Sequence, residues 1–184
     1  MDAVLKAVHF VALCLLLGGP VFWLSIWRAL DTPEVTQFTP RVRQRTRSGT
    51  LLGALCFVLS GYASLLRAAS QVIDPMDLEV LWQFLVGTRY GHMTLLKSLL
   101  TPAFLMSFFL LPVYAQRLAH VCTALCGLGL LMTLSLASHT AAKPGIVPVV
   151  SATLHLVGVV VWGGRAAVFC PPALENSTTR DCCL

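Results

Sequence analysis

Five stretches of about twenty apolar residues, each long enough to cross roughly 30 Å of hydrocarbon, divide this 184-residue chain between charged or Pro/Gly-rich breaks. They run from Ala3 to Leu30, Thr50 to Ala69, His92 to Val113, Leu118 to Ser138 and Val147 to Phe169. A bilayer offers no partner to an open backbone, so each stretch is expected to be an α-helix. The expected fold is therefore an all-α polytopic membrane helix bundle over residues 1–169, followed by a disordered polar tail over 170–184. Composition agrees, with 57% hydrophobic residues, 11% charged and a mean hydropathy of +0.78. The segment Asp77 to Val86 is too short to span and, with Trp82 among its apolar residues, is expected to lie at the interface. The first stretch reads as a retained span rather than a cleaved signal. Its apolar run is long, Lys6 is opposed by Asp2, and no small-residue cleavage site precedes the basic segment.

Arg41, Arg43, Arg45 and Arg47, with Arg28 upstream, crowd the connection between the first two spans against Asp31 and Glu34. The positive-inside rule places that connection in the cytoplasm and the N-terminus outside. The connection before the third span, with Asp74, Asp77 and Glu79 against Arg89, suits the outer side. Alternation then puts Arg117 inside, Lys143 outside, and Arg165 and Arg180 inside. The net charge of +5 thus follows from topology. The arginine cluster lacks interleaved aromatics and abuts a span, which speaks against nucleic acid and suits anionic lipid headgroups.

This orientation gathers four of the five histidines, His9, His92, His139 and His155, on the outer side and leaves His120 alone on the inner side. His9 and His155 lie about two turns into their helices at ~1.5 Å rise per residue, while His92 opens the third span and His139 closes the fourth. Imidazole is costly in a bilayer without a partner, so a one-sided set points to a shared ligand, with soft metal ions and haem iron as the two candidates. Met106 shares a helix face with His92, and Met132 with His139. Thioether suits Cu(I) and imidazole suits both copper oxidation states. His9, His92, His139 and His155 are accordingly the expected metal ligands, with Met93 or Met132 beside them, in an outward cleft among the first, third, fourth and fifth spans. Neutral imidazole is the binding form, so affinity is expected to fall as pH drops through about 6.5. Each histidine taken singly also serves as a helix–helix hydrogen bonder, and Cys122 with Cys126, at i and i+4, reads as a packing seam in preference to a Cu(I) relay.

The runs HFVALCLLLGG from His9 and HLVGVVVWGG from His155 each join a histidine, an apolar stretch and a Gly-Gly pair. Both helices run inward, so the fifth resembles the opening of a second copy of a four-helix unit. No nucleophile–base pair, phosphate loop or carboxylate dyad occurs, and the acidic residues sit in loops and tails, so enzymatic activity is not expected. The seven cysteines make no disulfide framework, since Cys14, Cys56, Cys122, Cys126 and Cys170 lie in or beside apolar helices.

Three motifs, in order, carry a family resemblance: Thr88-Arg89-Tyr90-Gly91 leading to Lys97, Ser138-His139-Thr140-Ala141-Ala142, and His155-Leu156 running to Trp162-Gly163-Gly164. They resemble the copper resistance protein D (CopD) family of bacterial inner-membrane proteins, well over Thr88 to Phe169 and loosely over the first two helices. The resemblance implies a multi-pass protein of the bacterial inner membrane in copper uptake or tolerance, alongside a periplasmic copper-binding partner of the copper resistance protein C (CopC) type. The family's histidine positions carry over to His139 and His155, with His9 a looser match. Lys97 falls on a basic position of the family and reads as a lysine snorkelling to the outer interface. Family members continue through further spans, which implies a shortened member and leaves open a homodimer that completes the bundle. The opening VLKAVHFVALCLLLGG is also similar to the first helix of HemJ-type protoporphyrinogen oxidases. That likeness keeps a second reading: a membrane oxidoreductase holding haem b between His9 and His155, provided their helices are neighbours.

Overall fold

The computed structural model describes residues 2–25, 39–71, 77–110, 116–137 and 146–169, all of them helix, cap or turn. Six helices result: α1 Asp2–Ser25, α2 Thr39–Ser70, α3 Leu78–Gly87, α4 Arg89–Phe109, α5 Gln116–Ala137 and α6 Val147–Phe169. Long helices stand at all five expected positions, and the short segment before the third is helical too. Over Ala3–Trp23, Pro40–Ser70 and Gln116–Leu136, three of them are long and apolar enough to cross a membrane. The length of α4 is similar, but Arg89, His92, Lys97 and its Ser and Thr residues make it more polar. The described apolar part of α6 is the shorter Val147–Gly163. The 170–184 tail lies outside the described residues.

The arginine cluster differs from expectation. Arg41 to Arg47 are not a loop but the opening turns of α2, which starts at Thr39 rather than Thr50. Pro40 sits in the first turn, where a missing N–H does no harm, and arginine is a good helix former, so nothing stops the helix extending. At 32 residues α2 is about 48 Å long, well beyond the roughly 30 Å hydrocarbon thickness.

The helices close into a ring in which α1 packs on α2, α2 on α4, α4 on α5, α5 on α6, and α6 back on α1, while α3 lies against α4. All five long helices feed one core: Ala12, Leu13, Leu16 and Leu17 from α1, Ala54 and Phe57 from α2, Phe104 from α4, Leu130 and Leu131 from α5, and Val160 from α6. α1 supplies the largest share. Among the described residues, interhelical hydrogen bonds are seen at four seams. They are His9 to Ser60, Ser98 to Tyr62, Thr123 to Ser107 and Thr153 to Ser135. Small hydroxyl residues at helix contacts in lipid serve this purpose. The α6–α1 seam instead relies on a close approach, with Gly163 facing Cys14.

Between α1 and α2 the backbones nearly touch at Gly53, where a Cβ would fall 2.8 Å from the Ala12 carbonyl oxygen. Pro20 follows inside α1, and Thr46 and Thr50 of α2 face Gly19. The Oγ1 atoms of both threonines are buried without a hydrogen-bond partner among the described residues.

The corner between α3 and α4 turns on Thr88. Its extended backbone breaks the helix, its hydroxyl donates to the Phe84 carbonyl at 2.8 Å, and the same oxygen accepts from the Gly91 N–H at 3.0 Å. A Cβ on Gly91 would overlap the Leu85 carbonyl. The Thr88-Arg89-Tyr90-Gly91 motif is therefore a helix corner: a shared cap and a close backbone approach. α3 has no buried residue and exposes Leu78 at 84% and Trp82 at 62%, as an interfacial helix would.

Candidate metal centre

The seam contacts fix which ends lie together. His9 of α1 meets Ser60 and Phe57 of α2, Lys97 of α4 also reaches Phe57, and Thr153 of α6 meets Ser135 of α5. One end of the bundle, the histidine end, thus holds the starts of α1, α4 and α6 and the ends of α2 and α5. At the other, the arginine end, Arg43 lies 5.7 Å over the Trp23 ring and Arg47 lies 5.9 Å over that of Phe109. Successive long helices alternate in direction. His9, His92 and His155 share the histidine end, His120 lies toward the arginine end, and His139 lies outside the described residues.

Within the shared end the three described histidines differ. The ring of His9 is half-buried, stacked on Phe57 at 4.4 Å between centroids and 24° between planes, with Nδ1 2.7 Å from the Ser60 hydroxyl. The Ser60 hydroxyl also lies 3.1 Å from the Phe57 carbonyl oxygen, to which it can donate its single proton. With the proton so placed, the Ser60 oxygen accepts from Nδ1–H of His9 and Nε2 keeps its lone pair; with it turned to Nδ1, the tautomer reverses. Metal-binding histidines are oriented in the same way, by a hydrogen bond from the other ring nitrogen. Gly61 lies beside the ring, where a Cβ would stand in ordinary contact 3.9 Å from Cε1 of the imidazole.

His92, in the first turn of α4, and His155, in the middle part of α6, are both exposed. Among the described residues no three side chains of histidine, cysteine, aspartate and glutamate gather where they could hold a metal. His9, His92 and His155 therefore share an end without forming a three-ligand centre among themselves. α1 and α6 are neighbours, as bis-histidine haem ligation requires. Their histidines nevertheless find different surroundings, the ring of His9 against α2 and His155 on the exposed face of α6. Met132 and Met106 are exposed at 43% and 60%, and Met93 is half-buried.

Sequence reasoning missed three members of the His9 cluster: Ser60, Phe57 and Lys97. The ammonium of Lys97 stands 5.8 Å from the centroid of the Phe57 ring, which is 0% exposed, so this lysine leans into the bundle instead of snorkelling outward. A hydroxyl at matching depth on the next helix was the available signal for Ser60. A cavity of about 440 Å³ does lie between α1, α4, α5 and α6, but not at the outer mouth where the ligand cleft was expected. Its lining includes His120 and none of the four expected ligands, and it lies toward the arginine end.

The family described as Copper resistance protein D-like, N-terminal domain, matches residues 2–149. The match takes in α1 and α2 fully, where motifs gave only a loose likeness, and ends as α6 begins, before the His155 run. No curated protein and no solved structure matches the chain.

Proposed function

The chain belongs to the copper resistance protein D-like family, and from that premise we propose that it handles copper as a multi-pass protein of the bacterial inner membrane, taking the ion at its periplasmic face through histidines. On this reading the N-terminus and the histidine end face the periplasm, and the arginine end faces the cytoplasm. His9 is the pre-set donor, and His92, His139 and His155 are the further imidazoles at the same end. The single observation that carries the proposal is the Phe57–Ser60–His9 contact, which on this reading puts the proton on Nδ1 and holds Nε2 as an acceptor for a soft cation. Copper suits that donor better than a hard cation does. A periplasmic protein of the copper resistance protein C type is the partner that would deliver or accept the ion there.

Metal analysis and the visible spectrum of the full chain purified in detergent test the proposal together. Bound copper without a Soret band is expected, with copper lost in His9→Ala while membrane insertion persists. A Soret band, or unchanged copper in His9→Ala, contradicts it.

A further inference from the structure

The cavity toward the arginine end plays no part in the copper reading, and its chemistry is different. Leu17, Pro20 and Val21 of α1 and Phe104 of α4 form its inner wall, and α5 and α6 form its sides. At the histidine end α5 and α6 are tied by the Thr153–Ser135 bond of 2.9 Å. Toward the other end the rim residues Ala124, Leu128 and Val161 are exposed, so the cavity opens sideways between α5 and α6, into the membrane on the reading above. Its volume of about 440 Å³ lies within the ~300–1,000 Å³ of small-molecule sites.

The lining is apolar apart from His120 and Thr123, and the Thr123 hydroxyl already donates to Ser107 at 3.1 Å. A water-filled site needs several polar partners, which this one does not provide, whereas a hydrocarbon chain needs none. Polarity is graded along one face of α5. Exposed Arg117 comes first, His120 follows at i+3, and then come Gly127, Leu128 and Leu131 of the lining. Arg43 and Arg47 stand at the same end of the bundle. A cation on the same face of α5 as the rim residue Ala124, seven residues before it, and hydrocarbon-lined space beyond match an amphiphile with an anionic head and an apolar tail.

We infer that this cavity seats an acyl chain of an anionic phospholipid from the leaflet on the arginine side, with its headgroup at Arg117 and His120. The lipid fills the space where α5 and α6 separate and is held independently of copper.

The full chain, reconstituted in vesicles of phosphatidylglycerol, of phosphatidylcholine or of an equal mixture, is extracted into a delipidating detergent and weighed by native mass spectrometry. One retained phosphatidylglycerol per chain is expected, favoured over phosphatidylcholine from the mixture by about fivefold, as one arginine near a headgroup gives. Ala124→Trp places a large ring at the exposed rim and is expected to abolish retention. Leu128→Trp does the same from the next turn, so a folding defect in one variant leaves the other as the test. Arg117→Gln is expected to keep a lipid but lose the headgroup preference. The inference is overturned if the wild type keeps no phospholipid, if it keeps a neutral isoprenoid instead, or if both folded tryptophan variants retain phosphatidylglycerol as the wild type does.

Discussion

The two histidine runs, HFVALCLLLGG on α1 and HLVGVVVWGG on α6, look alike as sequence and end in different surroundings. On α1 the imidazole is half-buried, stacked on Phe57 and bonded to Ser60, and Gly19 is covered by Thr46 and Thr50. On α6 the imidazole is exposed, Gly158 has nothing within 4 Å of a would-be Cβ, and Gly163 meets Cys14. The pattern of histidine, apolar stretch and paired glycines sets a helix and a depth. The neighbouring helix then decides whether the imidazole becomes an oriented donor, and α2 supplies what the exposed face of α6 does not meet.

The sharpest way to break this comparison is to fill the glycines. Gly53→Leu drives a side chain into the α1 backbone and is expected to cost about 1–3 kcal/mol or more, lowering the unfolding midpoint in detergent. Gly158→Leu, in open space, is expected to leave the midpoint within about 0.5 kcal/mol of the wild type. Equal effects would show that α1 and α6 are packed alike. Second comes His9→Ala against His155→Ala. The first is expected to remove copper and to lose about 1 kcal/mol with the Ser60 bond, whereas the second leaves stability unchanged.

A finer probe is Ser60→Ala, which keeps the imidazole but frees its orientation. Copper affinity measured by competition with a chelator is expected to fall about 10–100-fold. The smallest effect is electrostatic. Lys97 holds a positive charge against the ring on which His9 stacks, and like charges repel. Lys97→Met is therefore expected to tighten copper binding modestly in the same assay, and weaker binding would mean that the lysine supports the site.

Long apolar runs made the helices and their order legible, because in a bilayer hydrophobic length leaves the backbone one solution. Gathering His9, His92 and His155 at one end was legible for the same reason, since depth follows from counting residues along each helix. Facing was not. Apolar residues surround each membrane helix on all sides, so no polar stripe marks which face meets protein, and His155 could not be told from His9. Lys97 read as a snorkelling residue because its aromatic partner Phe57 lies forty residues earlier, on another helix. The start of α2 was misplaced for a simpler reason: charge was taken as the end of the helix, whereas arginine is a good helix former and the helix runs on to Thr39. Thr88-Arg89-Tyr90-Gly91 was visible as a motif, but its role as a corner depends on the Leu85 carbonyl that packs against Gly91.

Copper capture by His9 turns on the protonation of one ring. Nitrogen-15 NMR of histidine-labelled full-length protein reads both nitrogens of His9 directly. A protonated Nδ1 and a bare Nε2 are predicted, with the Nε2 resonance moving when Cu(I), or silver(I) as its closed-shell stand-in, is added. A proton on Nε2, or an Nε2 resonance that ignores the metal, would contradict the assignment of His9 as the donor.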